Sequence, residues 1–305
     1  MTGNLARGAV YGLSAAAIWG GMYVVSDVVL RTVPPFTLLT LRLVLGLAVL
    51  LLFLRRLPHL ERPRGREALK VLAVGFLGFG ISVGAQFVGT DKSTAVNGSL
   101  ITSAAPAFIL IFAALILHEQ LTLRRILAVA LATVGVIVII DISQADFGSD
   151  TFAGDVALAI AAITWGLYSV LVRLVCQRWD TLVVTVYAFV GGLALVVPAA
   201  LLELTQRPIG NIDSGTVLGI LYLGVVSTAG AMWLWNRAFA LVSASIASLF
   251  FFAQPLVGAF LGVVLLGQAL TPNIILGGVL IALGVLLSVV NPQHLLTRRA
   301  AAVSE

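Results

Sequence analysis

The chain has 305 residues, of which 60% are hydrophobic and only 10% charged, and its mean hydropathy is +1.10. Ordinary globular domains carry roughly 25% charge, so a soluble enzyme or soluble binding module is excluded, and no polar stretch is long enough to form an extramembrane domain. The formal net charge of +5 fits either nucleic acid or the cytoplasmic loops of a membrane protein, and the placement of the basic residues decides between them.

Apolar stretches of about 20 residues, the length needed to cross the hydrocarbon core, follow one another along the chain. They fall at 8–30, 35–54, 69–90, 94–117, 125–141, 152–175, 182–202, 215–236, 243–266 and 273–290. The first is far longer than a signal-peptide core and lacks a small-residue cleavage site, so it is expected to be retained. A single cysteine, Cys176, leaves no intrachain disulfide and no thiolate metal site. One set of alternate loops holds Arg7, Arg55, Arg56, Arg62, Arg64, Arg66, Lys70, Arg124, Arg125, Arg173, Arg178, Arg237, Arg298 and Arg299, fourteen of the eighteen basic residues. The other set holds Arg31, Lys92 and Arg207, together with acidic Asp141, Asp146, Asp150, Asp155, Glu203 and Asp213. By the positive-inside rule both termini are expected in the cytoplasm, with the chain spanning the inner (plasma) membrane. The basic excess is a topology signal, and no nucleic-acid partner is expected.

The second half echoes the first at an offset of about 146 to 149 residues. Trp19-Gly20 answers to Trp165-Gly166, Pro106 to Pro255, and Gly135-Val136 to Gly284-Val285. Glu119-x-Leu121-Thr122 answers to Gln268-x-Leu270-Thr271. Five spans per half is an odd number, so the halves enter the membrane with opposite orientation, an inverted repeat with a cavity expected between them near the midplane. The fold class is therefore an all-α membrane protein of ten transmembrane helices in two inverted five-helix repeats. The boundaries expected are 1–142, 152–291 and a cytoplasmic tail at 292–305.

Residues 95–139 (AVNGSLITSAAPAFILIFAALILHEQLTLRRILAVALATVGVIVI) and 243–287 (SASIASLFFFAQPLVGAFLGVVLLGQALTPNIILGGVLIALGVLL) resemble the closing helices of EamA domains. The resemblance covers nearly the whole chain in two copies. It implies a ten-span exporter of the drug/metabolite transporter superfamily, similar to bacterial amino-acid and metabolite exporters. The pattern departs from that family where His118 replaces a common Gly, Gln268 replaces Glu, and Gln254 stands where an acid is frequent. These departures weaken any carboxylate-based coupling that the resemblance implies.

Candidate functional residues follow from polarity that has no loop to sit in. Trp19 and Tyr23 share a helix face, as do Trp165 and Tyr168 on the equivalent span. Ser82 with Gln86, Asn97 with Ser99, and Ser245, Ser248 and Gln254 complete the expected substrate cavity. The other tryptophans, Trp179, Trp233 and Trp235, fit an interfacial aromatic belt. Pro106 and Pro255 each remove a backbone bond in mid-span, so a kink is expected, either as a gating hinge or as static shaping. Small residues recur at Gly8, Gly12, Ala16 and Gly20, at Gly80 and Gly84, and at Gly258 and Gly262, marking close helix contacts, static or sliding. Charge inside a span costs roughly 2.5–3.5 kcal/mol. Asp27 and Arg42 are the clear cases, expected to pair across the first hairpin or, for Arg42, to reach the interface. His118 and Glu119 are expected to anchor a loop against Arg124 or Arg125.

So little intramembrane charge favours a neutral or zwitterionic small-molecule substrate, with amino acids, including aromatic ones, foremost. Proton-coupled multidrug or metabolite efflux is the alternative. A membrane-embedded enzyme would need a motif such as H-E-x-x-H or a Walker loop, and the sequence has neither, so no catalytic residue, metal or cofactor is expected. A scaffold would leave the two halves and the paired prolines unexplained. The partners expected are the solute and the lipid bilayer, and one chain with both halves can act as a monomer.

Overall fold

In lipid every backbone N–H and C=O must find its partner within the segment, which a helix provides. The computed structural model describes residues 2–120, 122–140, 149–251, 253–267 and 271–289, and within them there is helix and turn but no strand. Outside the described residues lie the tail 292–305, Leu121, Asp141, Asp146, Gln268 and Leu270, and also the side chains of Arg125 and Ser245.

The first half contains α1 (Thr2–Leu30), α2 (Pro35–Arg55), α3 (Gly65–Lys92), α4 (Ala95–Thr102), α5 (Ala105–Leu117) and α6 (Leu123–Ile140). The second contains α7 (Asp150–Cys176), α8 (Thr181–Leu204), α9 (Ser214–Leu241), α10 (Ala244–Phe250), α11 (Ala253–Leu266) and α12 (Pro272–Val289). Seven stretches are long and apolar enough to cross a membrane, and three shorter apolar helices supply the remaining spans. These are the ten spans legible in the sequence, with ends displaced by a few residues: α1 begins at Thr2 and α7 at Asp150.

The packing is two-fold symmetric. Helix α1 lies on α9 and α11, and its equivalent α7 lies on α3 and α5. Helices α2 and α8 cross each other, and α6 runs along α12. Close approach is built into the α3–α8 contact from both sides. A Cβ on Gly75 would stand 2.1 Å from the Ala188 carbonyl oxygen, and one on Gly191 would stand 2.0 Å from that of Leu72. Gly20 meets the Gln254 backbone as Gly166 meets that of Ile109. The outward faces are apolar, with Leu115, Leu202, Leu218 and Phe260 each more than 60% exposed, as a lipid-facing surface requires.

Two features go beyond the sequence reading. The chain does not merely kink at the prolines. It breaks between α4 and α5 and again between α10 and α11, and Pro106 occupies the first turn of a new helix, where its missing N–H is not needed. Inside α3 and α9, the segments Phe76–Ser82 and Tyr222–Gly230 are wound as π-helix. They begin at repeat-equivalent positions, on Phe76-Leu77-Gly78 and Tyr222-Leu223-Gly224. Widened turns of this kind free carbonyls from the regular ladder and concentrate at functional sites.

The short loop after α5 shows why Gly is common where this chain has His118. His118 has a left-handed backbone, φ 53°, and its repeat equivalent Gly267 has φ 64°. Only glycine enters that region without steric cost. Glu119 then accepts from the backbone N–H of Ala244 at 3.1 Å, capping α10, and lies 3.9 Å from Arg173. The expected partner Arg125 lies outside the described side chains. Arg124 bonds to the carbonyl of Leu287.

These contacts set opposite expectations for small substitutions. Replacing His118 with Gly should stabilise the protein by about 1 kcal/mol, while Gly75→Ala should destabilise it by about 1–3 kcal/mol through overpacking. Gly278→Ala, where a Cβ meets nothing within 4 Å, serves as the control that meets no neighbour and gains only helix propensity. Thermal unfolding of the purified variants measures all three, and a Gly75→Ala midpoint matching that of Gly278→Ala would contradict the packing described.

Candidate functional site

Trp19 and Trp165 occupy equivalent positions in the two repeats, and they touch. Their ring centroids are 5.5 Å apart at an interplanar angle of 87°, an edge-to-face contact of the kind favoured by aromatic quadrupoles. Equivalent residues that meet must lie beside the axis relating the repeats. Around this pair is a cavity of about 30 Å³, lined from α1, α3, α4, α7, α9 and α11, room for little more than water in this conformation and far below the usual range for ligand sites. Thr102, the last residue of α4, and Phe251, in the α10–α11 break, are repeat equivalents that both reach it. Broken helices framing a midplane cavity are the usual architecture of a transporter substrate site.

The symmetry of the backbone is not kept by the side chains. The first half contributes Tyr23, Gln86 and Thr102, whose repeat counterparts are Ser169, Met232 and Phe251. Gln86 donates to the Tyr23 hydroxyl, which lies 2.7 Å from Thr102 Oγ1. Gln254 donates to the same Thr102 oxygen at 2.9 Å. Thr102 passes its one proton to the Gly98 carbonyl at 2.6 Å, so Tyr23 is the donor in its bond to Thr102. Opposite this polar cluster stand Trp19, Trp165, Met22, Met232 and Phe251. One end of the cavity can accept and donate hydrogen bonds, and the other offers only aromatic and thioether surface. Among the described lining residues there is no Asp, Glu or His.

The indoles differ in how they are held. Trp19 Nε1 donates to the Ser227 carbonyl at 3.0 Å, on the π-wound segment of α9. Trp165 Nε1 is buried and has no partner among the described residues. A buried donor without a partner costs stability and calls for an explanation.

The sequence-derived residues divide as follows. Trp19, Tyr23, Ser82, Gln86, Trp165 and Gln254 line the cavity, with Ser82 also bonded to the Ala161 carbonyl at 2.8 Å. Tyr168 is buried behind it, its hydroxyl donating to Asn236 at 3.2 Å. Ser99 packs against Gly258, and Ser248 is buried outside the lining. Asn97 lies toward one end of the helices, where its amide reaches Asp155 at 3.4 Å. Pro106 and Pro255 are buried just beyond the two breaks. Trp235 does not join an interfacial belt. It is fully buried, its ring centroid 5.3 Å from that of Trp19 in a tilted contact and 5.2 Å from that of Phe251 in an edge-on one. Met22, Thr102, Met232 and Phe251 were not legible as lining residues, since methionine and phenylalanine carry no contrast in an apolar span.

The expected pairing of Asp27 with Arg42 does not occur. Asp27 bonds to Arg31 at 2.9 Å, one helical turn away. Arg42 does not reach the interface either. It is 0% exposed, its guanidinium 4.9 Å from the Phe87 ring centroid. Ion pairs lie instead near the ends of the helices, where Arg207 meets Asp91 at 2.6 Å and Lys92 meets Asp150 at 2.7 Å, and Ser93 donates to Asp155 at 2.6 Å beside them.

Comparison with known proteins settles the family. The model of the EamA-like transporter family matches residues 6–141 and again residues 152–290. The chain belongs to this family. It is a multi-pass membrane transporter of the drug/metabolite transporter superfamily and not an enzyme. It is 24% identical to an uncharacterized transporter of Archaeoglobus fulgidus over 278 residues, 91% of this chain and 95% of that one. It is 28% identical over 309 residues to a probable amino-acid metabolite efflux pump of Salmonella typhimurium, covering 96% and 97% of the two chains. A crystal structure superimposes with a TM-score of 0.74 at 22% identity, over 96% of this chain and 98% of that one, a likeness of fold.

This EamA-like chain has a larger cavity, about 620 Å³, between α2, α8 and α9, lined by residues such as Leu50, Phe53, Leu60, Val225 and Trp233. Phe53 is 55% exposed on the apolar periphery, where a trough needs no solute to explain it. The axial cavity is the better candidate despite its smaller volume.

The different tethering of the two axial indoles is testable. Trp19→Phe discards a bond to the α9 backbone, while Trp165→Phe discards only an unpartnered donor, and both lose the same volume. Trp19→Phe should therefore be the less stable by about 1–2 kcal/mol, measured by thermal unfolding in detergent. Equal stability would show that the Ser227 bond carries no weight.

Proposed function

We propose that this EamA-like transporter exports small zwitterionic or neutral metabolites, foremost amino acids with apolar or aromatic side chains, by alternating access. The reading rests on one observation above all. The cavity on the repeat axis is amphipathic, with a hydrogen-bonding cluster of Tyr23, Gln86, Thr102 and Gln254 facing aromatic surface from Trp19, Trp165 and Phe251. A solute with a polar head and an apolar body matches both ends at once. Naming of the Salmonella relative as a probable amino-acid metabolite efflux pump supports the same class. The loop charges support an inner-membrane setting with both termini cytoplasmic. Alternating access is supported by the inverted halves, since each offers an equivalent mouth to the shared cavity. With both halves in one chain, a monomer suffices.

The apolar character of the lining also bears on energy coupling. Proton antiport through this cavity would need a titratable carboxylate or imidazole on its walls, and none is found among the described lining residues. The protein is therefore read as a facilitator or a weakly coupled exporter.

Uptake into proteoliposomes tests both parts. Vesicles with the protein should take up phenylalanine faster than empty vesicles, and Trp165→Ala should slow that uptake by roughly tenfold through loss of the aromatic wall. Wild-type uptake by Trp165→Ala would overturn the site. An imposed pH gradient should leave the final level unchanged, whereas gradient-driven accumulation would establish proton-coupled efflux instead.

A further inference from the structure

Arg42 is fully buried in α2, and none of its hydrogen bonds or ion pairs among the described residues involves a carboxylate. A guanidinium taken out of water without a counter-charge is costly, so its presence needs a reason. Its position in the second half is occupied by Ala188, so the fold itself does not require a cation there.

The neighbours hold the group in place without satisfying it. Nε donates to Thr228 Oγ1 at 2.7 Å. Thr228 in turn donates to the Leu223 carbonyl at 2.7 Å, five residues back, a spacing that suits the π-wound turn. Nη2 reaches Ser227 Oγ only at 3.5 Å, and Nη1 faces the sulfur of Met22 at 3.3 Å. Thioether sulfur is a weak acceptor, and a guanidinium has five N–H groups. The poorly satisfied edge of Arg42 thus points at Met22, which is itself a wall of the axial cavity. Methionine turns aside readily, because its unbranched chain has three soft rotations.

We propose that Arg42 is the anchor for a carboxylate on the transported solute, reached when Met22 moves aside, and that it selects singly anionic or zwitterionic carboxylates over their neutral analogues. A carboxylate would supply two charge-assisted acceptors to the free edge of the fork and neutralise the lone buried cation. Met22 sulfur holds that place when the cavity is empty. The apolar body of the same solute would lie against Trp19 and Trp165. The inference rests on the transport reading above and specifies the headgroup that the cavity takes.

Calorimetric binding to the purified full chain can separate the two readings, with phenylacetate, its neutral isostere phenylacetamide, and phenylalanine as probes. The wild type should bind phenylacetate and phenylalanine more tightly than phenylacetamide. In Arg42→Gln, binding of both carboxylates should weaken by roughly ten- to hundredfold, with phenylacetamide unchanged. Arg42→Lys, which keeps the charge but not the fork, should fall between. Unchanged phenylacetate binding in Arg42→Gln overturns the proposal, as does a wild type that does not prefer the carboxylate. Equal loss of all three probes also overturns it, because Arg42 would then serve the fold alone. Arg42-dependent binding of phenylacetate without any phenylalanine uptake would support the anchor and overturn the amino-acid reading.

Discussion

The contact between Trp19 and Trp165 fixes the rest of this molecule. Two residues related by the internal repeat can touch only beside the axis that relates them, so this one edge-to-face pair places the axis, and with it the meeting point of the two halves. Everything else of interest is arranged about it. The breaks before Pro106 and Pro255 bring Thr102 and Phe251 to the same space. The two π-wound segments flank it at equivalent positions, and that in α9 supplies the anchors for Trp19 and for Arg42.

A membrane protein must spend polar groups sparingly, since each one in lipid has to be satisfied by another part of the protein. The distribution of those groups therefore carries information. The backbone here is close to two-fold symmetric, yet the polar side chains at the axis come mainly from one half, Tyr23, Gln86 and Thr102 against Ser169, Met232 and Phe251. An unbiased passage would need no such difference. The asymmetry makes a cavity with a head end and a body end, which orients a solute within it. The ionic contacts are likewise uneven. Arg207 pairs with Asp91 and Lys92 with Asp150, while Asp155 accepts from Ser93, all toward one end of the helices.

Much of this was legible in the chain itself. The spans were readable because lipid sets a length, and the repeat because Trp19-Gly20 and Pro106 recur in Trp165-Gly166 and Pro255. The cavity residues with clear polarity, such as Gln86 and Gln254, stood out against an apolar background. What was not legible shares one physical cause. A helix that is apolar all round has no periodic contrast to reveal which face is inside, so Met22 and Phe251 carried no mark of the cavity and the buried Trp235 read as interfacial. Arg42 was visible as a charge, but its depth depended on the α2–α9 contact, which no local pattern encodes. The helix breaks were signalled by proline only as kinks, and the widened turns left no mark beyond a shared Leu-Gly. His118 was the reverse case: its oddity was plain in sequence, and the left-handed backbone shows why glycine would be the easier residue there.

The central claim is that the solute passes through the axial cavity by opening the end of the helices now joined at Asp155. The most direct test ties that end shut. Ser93 and Asp155, whose side chains meet at 2.6 Å, can both be replaced by cysteine in a chain where Cys176 is changed to serine. After oxidation to a disulfide, the protein should still bind phenylalanine but stop transporting it, and reduction should restore transport. Undiminished transport by the fully cross-linked protein would contradict the account.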